Sequence, residues 1–135
     1  MPIYGHILVV EDDEVMRGTI LKVLKRVGYD VDGAEDGPEA LEKTKHKIYD
    51  LIVCDVRLPG GLDGIEVIRL IKEDPKYNRI KVIIITGYSD IDVPVRAIRI
   101  KVDDFLWKPF KLEDFMEIVT YNTRHLLEEQ RDESK

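Results

Sequence analysis

Acidic, cationic and hydroxyl side chains stand where the apolar runs of this sequence stop. Glu11 and Asp12 follow the run HILVV, and Asp55 ends the run DLIVC. Thr86 closes the run KVIII, and Lys108 follows DFLW. An ionised carboxylate is costly to bury without a partner. These residues therefore either cap neighbouring segments or are held at an exposed rim to do chemistry.

Taken together, these residue types suit phosphoryl transfer. Carboxylates that lie close together repel one another, which raises their pKa values. Mg²⁺ prefers oxygen ligands and relieves that repulsion, while a lysine ammonium can hold a phosphoryl oxygen. Phosphoryl transfer needs an aligned nucleophile and neutralised charge on the transferred group. The set predicts a magnesium-dependent site with a carboxylate nucleophile.

A parallel sheet would bring these residues together. Strands are predicted at residues 6–10, 30–34, 50–54, 81–86 and 104–109, and helices at 14–27, 36–47, 63–73, 90–100 and from 112 onwards. Strict alternation of this kind predicts a parallel sheet with helices on both faces. In such folds, ligands bind beyond the carboxyl ends of the strands, which is where the candidate residues stand.

Local signals set the helix limits. Asp36 with Glu39, and Asp63 with Glu66, have the spacing of a capping box, and Gly28 is a natural helix stop. The first helix should turn one apolar side towards the sheet. That side contains Val15, Met16, Ile20, Val23, Leu24 and Val27.

Composition narrows the class of protein. The 135 residues suit one compact domain, and the net charge of −6 argues against direct nucleic-acid binding through a broad basic surface. Cys54 is the single cysteine, so it forms no intrachain disulfide and is predicted to be a buried, inert thiol. No apolar stretch is long enough to cross a membrane. Without a signal-peptide pattern, we expect a cytoplasmic protein.

Four motifs carry a resemblance to a known family: VVEDD, IVCDVRLPG, IIITGY and DDFLWKPF. In this order and spacing they resemble the receiver domain of two-component response regulators, of the chemotaxis type, over residues 5–125. The resemblance implies a flavodoxin-like, doubly wound α/β fold with a five-stranded parallel sheet, order 2-1-3-4-5, and five helices in three layers. We assign residues 1–127 to this domain and 128–135 to a charged tail that could lead to an output domain.

The resemblance also implies roles at the site. Asp55 would be the phosphoacceptor and Lys108 would bind the phosphoryl group, with a cis bond to Pro109. Asp12 would bind Mg²⁺ directly and Glu11 through water. Asp55 and the backbone carbonyl of Arg57 would complete the protein ligands.

A switch is implied as well. Thr86 would turn to the phosphoryl oxygen and Phe105 would move with it, which changes the surface formed by residues 86–110. The partner would be a sensor histidine kinase or a phosphotransfer protein, and a homodimer could form through the last two helices and strand five. The domain would be a signalling phosphoacceptor, not an enzyme, with neither nucleic acid nor membrane as a direct partner.

Two features depart from the family pattern. The loop LPGGLDG, with Gly60 and Gly61, is one residue longer than the usual Pro-x-x-Asp-Gly stretch. Lys101 stands where many relatives have a turn glycine, and a positive φ there would be strained.

Three other functions were weighed. A degenerate receiver would act only as a protein-binding module, although all the key residues are present. A haloacid-dehalogenase-type phosphatase needs a second aspartate as general acid two residues after the nucleophile, where this chain has Arg57. A nucleotide- or flavin-binding module needs a glycine-rich loop after the first strand, where this chain has EDDEVMRG.

Overall fold

Strands and helices alternate throughout the part of the chain described by the computed structural model, residues 4–87 and 93–133. The elements are β1 His6–Val10, α1 Glu14–Val27, β2 Asp30–Ala34, α2 Gly37–His46, β3 Leu51–Asp55, α3 Gly64–Lys72, β4 Lys81–Thr86, α4 Val93–Arg99, β5 Asp104–Trp107 and α5 Leu112–Glu133. One 3-10 turn, Pro75–Tyr77, precedes β4. All neighbouring strands are parallel, and the sheet order is β2-β1-β3-β4-β5. The predicted fold class is confirmed.

The central strands send alternate side chains to two separate cores, because successive residues of a strand point to opposite faces. In β1, Ile7 and Val9 face one core, while Leu8 and Val10 face the other. Both faces are covered, which explains why the strands are apolar throughout rather than alternating with polar residues. Cys54 lies in one of these cores, and burial raises the pKa of its thiol, as expected for an inert cysteine.

Side-chain caps fix the helix starts. Asp13, Asp36 and Asp63 each accept a bond from the backbone N–H three residues later, at 2.8–2.9 Å. At α2 the capping box is shifted by one residue, since the Glu39 carboxylate reaches the N–H of Glu35. Gly28 ends α1 with φ 123, and its N–H bonds back to Leu24 and Lys25. The capping signals are confirmed.

Some details differ from the expectation. Strand β3 is one residue further along than predicted, so that Asp55 is its last residue. The assignment of Val15 and Val27 to the buried side of α1 was wrong: they are 79% and 40% exposed. Val15 lies in the first turn of α1, at the carboxyl edge of the sheet, where it borders Pro109 and Phe110 instead of a strand.

Three further expectations concern α4, α5 and the turn between α4 and β5. Residues 90–92 of the predicted fourth helix fall outside the described residues, and α5 extends to Glu133, through most of the predicted tail. Lys101 does adopt a positive φ, of 60°. Among the described helices, none has the length and hydropathy needed to cross a bilayer.

Candidate functional site

Asp55 is held at the carboxyl end of the central strand. Its side chain is buried, and the residue is 5% exposed. Its neighbour strands on both sides, β1 and β4, end at the same edge. The backbone N–H of Arg57 donates to Asp55 Oδ1 at 3.1 Å, which fixes the orientation of the carboxylate. The sheet therefore presents one rigid carboxylate at its rim.

Glu11 and Asp12 approach Asp55 from the end of β1. Glu11 is 2% exposed, and its backbone N–H bonds to the carbonyl of Ala34 at 3.0 Å, while Asp12 is exposed. One carboxylate oxygen from each of Glu11, Asp12 and Asp55 lies within 4.8 Å of the others. The predicted acidic residues are thus brought together, one of them open to solvent.

Lys108 bridges two of these carboxylates from the end of β5. Its Nζ donates to Glu11 Oε1 at 2.9 Å and also to Asp55 Oδ2. Burial lowers the pKa of Lys108, but the bonds to Asp55 and Glu11 outweigh it and the pKa is raised overall. The lysine is therefore a firmly protonated cation at this site. The bond between Lys108 and Pro109 is cis, as the resemblance implied.

The acidic cluster fits a divalent cation. Burial, followed by the neighbouring Asp55, raises the pKa of Glu11 to about 8, against the opposing effect of Lys108. Glu11 Oε2 is buried and accepts no hydrogen bond within the described part of the chain. The Lys108 ammonium alone therefore does not provide a partner for every carboxylate oxygen of the cluster. Carboxylate oxygens are ligands that suit Mg²⁺. Glu11, Asp12, Asp55 and the carbonyl of Arg57 are the groups that would hold it.

Thr86 and Phe105 lie beside the site on β4 and β5. Thr86 is buried at the end of β4, where its register partner on β5 is Trp107. The carbonyl of Thr86 accepts the backbone N–H of Lys108 at 2.8 Å, which ties the hydroxyl-bearing residue to the cationic one. Phe105 is partly buried against the core on the α3 side of the sheet. Residues 88–92 of the predicted switch surface lie outside the described residues.

The loop between β3 and α3 follows directly after Asp55. Gly60 and Gly61 both have φ 93, which a side chain rarely adopts. The N–H of Gly64 donates to the carbonyl of Val56 at 2.7 Å, which closes the loop against β3. The doubled glycine therefore supplies two consecutive left-handed residues next to the site.

Two contacts near the site escaped sequence reasoning. Arg17 Nη1 donates to the carbonyl of Glu11 at 2.8 Å, and Arg96 Nη2 pairs with Asp63 Oδ2 at 2.6 Å. Arg17 steadies the backbone at the end of β1, and Arg96 joins α4 to the cap of α3. No local sequence pattern predicts either contact, because the packing of the helices determines which group each arginine reaches.

The chain is similar to known proteins in both sequence and fold. The response regulator receiver domain family matches residues 7–120. The transcriptional regulatory protein ZraR of Klebsiella oxytoca is 40% identical over 108 residues, which are 78% of this chain and 24% of that protein. The DNA-binding transcriptional regulator NtrC of Escherichia coli is 32% identical over 127 residues, 94% of this chain and 26% of that protein.

Two solved structures have a fold similar to that of this chain. NtrX from Brucella abortus superimposes with a TM-score of 0.82 at 27% identity, over 97% of this chain and 29% of that one. A CheY-like receiver domain protein from Methanospirillum hungatei gives 0.82 at 26% identity, over 92% of this chain and 97% of that one.

These matches correct one expectation and confirm another. ZraR and NtrC are transcription regulators, so the narrower assignment to the chemotaxis type is not supported. The chain spans about a quarter of the length of those two relatives. The match to residues 7–120, together with the strand order and the acidic rim, establishes that this chain belongs to the response regulator receiver domain family of two-component systems.

Proposed function

We propose that this domain accepts a phosphoryl group on Asp55 from the phosphohistidine of a sensor histidine kinase or a phosphotransfer protein. The observation that carries the proposal is a buried carboxylate at the end of the central strand, bonded to Lys108 and bordered by Glu11 and Asp12. An Asp55 oxygen forms the new O–P bond as the P–N bond of the phosphohistidine breaks, and the donor imidazole leaves.

Each neighbouring group has a role in this transfer. The Lys108 ammonium neutralises charge on the phosphoryl oxygens, and its raised pKa keeps it protonated at neutral pH. The N–H of Arg57 holds the Asp55 carboxylate in one orientation before attack. Mg²⁺, held by Glu11, Asp12, Asp55 and the Arg57 carbonyl, would supply further charge neutralisation when bound.

Transfer would be coupled to a change of surface. The Thr86 hydroxyl turns to a phosphoryl oxygen, and Phe105 moves with it, so that the surface of residues 86–110 differs between the two states. The bond from the Lys108 N–H to the Thr86 carbonyl supports this coupling, because one backbone contact joins the phosphoryl-binding and switching residues.

The wider role follows from this switch. The domain is a signalling phosphoacceptor that promotes its own phosphorylation and dephosphorylation, rather than an enzyme with a separate substrate. A homodimer through α4, β5 and α5 would be one way to read out the altered surface. We place this activity in the cytoplasm, where the kinase's phosphorylated histidine is available.

Intact-mass spectrometry after incubation with acetyl phosphate and Mg²⁺ tests the proposal. We expect a phosphoryl adduct that hydroxylamine removes and that is missing from Asp55→Asn. A matched control is Asp50→Asn, at the opposite end of β3, which should still be phosphorylated. An unmodified chain with every phosphodonor, or an adduct that persists in Asp55→Asn, would contradict the proposal and favour a protein-binding module.

A further inference from the structure

A second groove lies at the edge of the sheet opposite Asp55. We call it the basal groove; it has a volume of about 630 Å³ and is lined in part by Asp50, Lys72, Arg79, Lys81, Lys101 and Asp103. Asp50, Lys81 and Asp103 stand at the amino ends of β3, β4 and β5, whereas Asp55 stands at a carboxyl end. The basal groove is therefore separate from the phosphorylation site.

The basal groove is positively charged on a chain whose net charge is −6. Four of the six side chains just named are cationic and two are carboxylates. Both carboxylates are engaged: Asp103 Oδ2 accepts the N–H of Val82 at 2.7 Å, and Asp50 Oδ2 accepts the N–H of His6 at 2.8 Å. Four cations against two carboxylates still leave an excess of two positive charges among these six side chains.

Three of these cations have no acidic partner among the side chains that the structure describes. Lys81 lies 3.6 Å from Asp103, but leaving out the side chains of residues 127–133, which are not described, no carboxylate comes within ion-pair distance of Lys72, Arg79 or Lys101. Elsewhere on the surface, lysines such as Lys43 and Lys47 are paired with neighbouring carboxylates. Within the described part of the chain, the basal groove thus holds more cations than carboxylates.

Lys72 is held in place among the other cations of the basal groove. Its Nζ donates to the backbone carbonyl of Lys101 at 2.9 Å. Burial lowers the pKa of Lys72, and Lys101 and Lys81 lower it further, against the effect of Asp103. An anion in the groove would relieve this repulsion. Cationic side chains that repel one another in the empty groove are expected of a site that binds a negatively charged ligand.

Lys101 gives an independent reason to assign a function to the groove. Its φ of 60° lies in the left-handed region, where glycine avoids the crowding that a Cβ suffers. Glycine would adopt this conformation at lower cost, so the lysine side chain is a candidate for a functional role. Here that side chain lines the basal groove.

We propose that the basal groove binds a small polyphosphate anion, of the nucleoside triphosphate class. Its volume falls within the range of about 300–1,000 Å³ that is usual for small-molecule sites. An arginine fork and several lysine ammonium groups are suited to phosphate oxygens. The site does not depend on phosphorylation of Asp55, so it stands whether or not the proposed phosphotransfer is correct.

Calorimetric titration with ATP and with inorganic triphosphate tests the proposal, at low salt and with divalent cations chelated. We expect both to bind with a Kd below about 1 mM, and binding should weaken as salt screens the charges. Lys72→Met and Lys101→Gly should each weaken binding about tenfold or more, the loss expected for removing one charge-assisted contact. The matched control is Lys22→Ala, because Lys22 is an exposed lysine of α1 outside the groove.

Lys101→Gly also separates binding from folding. It removes the side chain while relieving the backbone strain, so weaker binding in a variant that unfolds no more easily cannot come from misfolding. Backbone amide NMR shifts should map the ligand to residues 78–81 and 101–103. The proposal is overturned by undetectable binding, by equal losses in Lys22→Ala, by shifts confined to the Asp55 edge, or by binding of an oligonucleotide alone.

Discussion

Gly64 lies so close to β3 that even one added methyl group would not fit. A Cβ at this position would overlap the carbonyl oxygen of Asp55 and press on Cys54 Sγ. We expect Gly64→Ala to lower the free energy of unfolding by about 1–3 kcal/mol, because the backbone of Asp55 must shift. Phosphorylation of Asp55 by acetyl phosphate should slow as well, since the carboxylate is displaced.

Urea unfolding of matched glycine variants checks this prediction. Gly18 is exposed within α1, and a Cβ built there meets no atom within 4 Å apart from its chain neighbours and the adjacent backbone of the helix. Gly18→Ala should therefore stabilise the domain by about 1 kcal/mol, through helix propensity alone. Equal effects of the two substitutions would show that the close approach at Gly64 is not a constraint.

The ion pair of Arg96 with Asp63 joins two elements, α4 and the start of α3. Asp63 has two roles, since Oδ1 caps α3 and Oδ2 accepts from Arg96 at 2.6 Å. Both side chains are about one-third exposed, so solvent screens the pair. A double-mutant cycle with Asp63→Asn and Arg96→Met should give a coupling energy of about 0.5–1 kcal/mol.

The choice of asparagine isolates the ion pair from the cap, because asparagine is also a good N-cap residue. Asp63→Ala should cost about 1 kcal/mol more than Asp63→Asn, the usual contribution of a cap. Free energies of unfolding in urea measure each corner of the cycle. Additive effects, with no coupling, would mean that α4 is held to α3 by apolar packing only.

Edge strand β2 carries carboxylates that should make the fold sensitive to acid. Lys47 and His6 lower the pKa of Asp30 by hydrogen bonding. Burial raises the pKa of Asp32, but its bonds to Tyr49 and Lys47 outweigh this and lower it overall. Asp30 and Asp32 thus contribute stability above their unfolded pKa of about 3.9, and that stability is lost as pH falls through the lower folded values.

Urea midpoints measured from about pH 6 to about pH 3 test this contribution. Asp32→Asn should flatten the loss of stability in acid, because one shifted carboxylate is removed. Lys47→Met should flatten it too, since Lys47 bonds to both aspartates at 2.6 and 3.0 Å. An acid profile unchanged in both variants would place the sensitivity elsewhere in the protein.

The helices were predictable where the sequence signal is local. The wrong or missing predictions concern residues whose surroundings depend on tertiary packing. The caps Asp36 and Asp63 act on the N–H three residues away, so their spacing alone placed α2 and α3 correctly. Val15 follows the helical spacing of the buried side, yet it is exposed, because it lies in the first turn of α1 at the edge of the sheet and not over the core. Arg96 finds a partner 33 residues away, and no local pattern encodes such a contact.

At the scale of the whole molecule, the candidate site was predictable because topology creates it. Parallel strands end at one edge, so the residues that end β3 and β4 or follow β1 and β5 meet there: Asp55, Thr86, Glu11 and Lys108. The basal groove could not be found this way. Lys81 begins β4, but Lys72 ends α3 and Lys101 lies in the turn before β5, so no single position in the strand pattern identifies the three lysines.

The acidic rim predicts that Mg²⁺ stabilises the whole fold. Glu11, Asp12 and Asp55 repel one another when ionised, and in the described part of the chain Lys108 is the cation paired with two of them, so a bound divalent cation should favour the native state. At a free Mg²⁺ concentration of ten times Kd, the expected gain is about 1.4 kcal/mol. Thermal unfolding with and without Mg²⁺ measures this gain, independently of any phosphodonor.

Asp12→Asn should lose most of the gain while keeping the fold, because Asp12 is exposed. An equal gain from NaCl at matched ionic strength would reduce the effect to screening and refute a specific site.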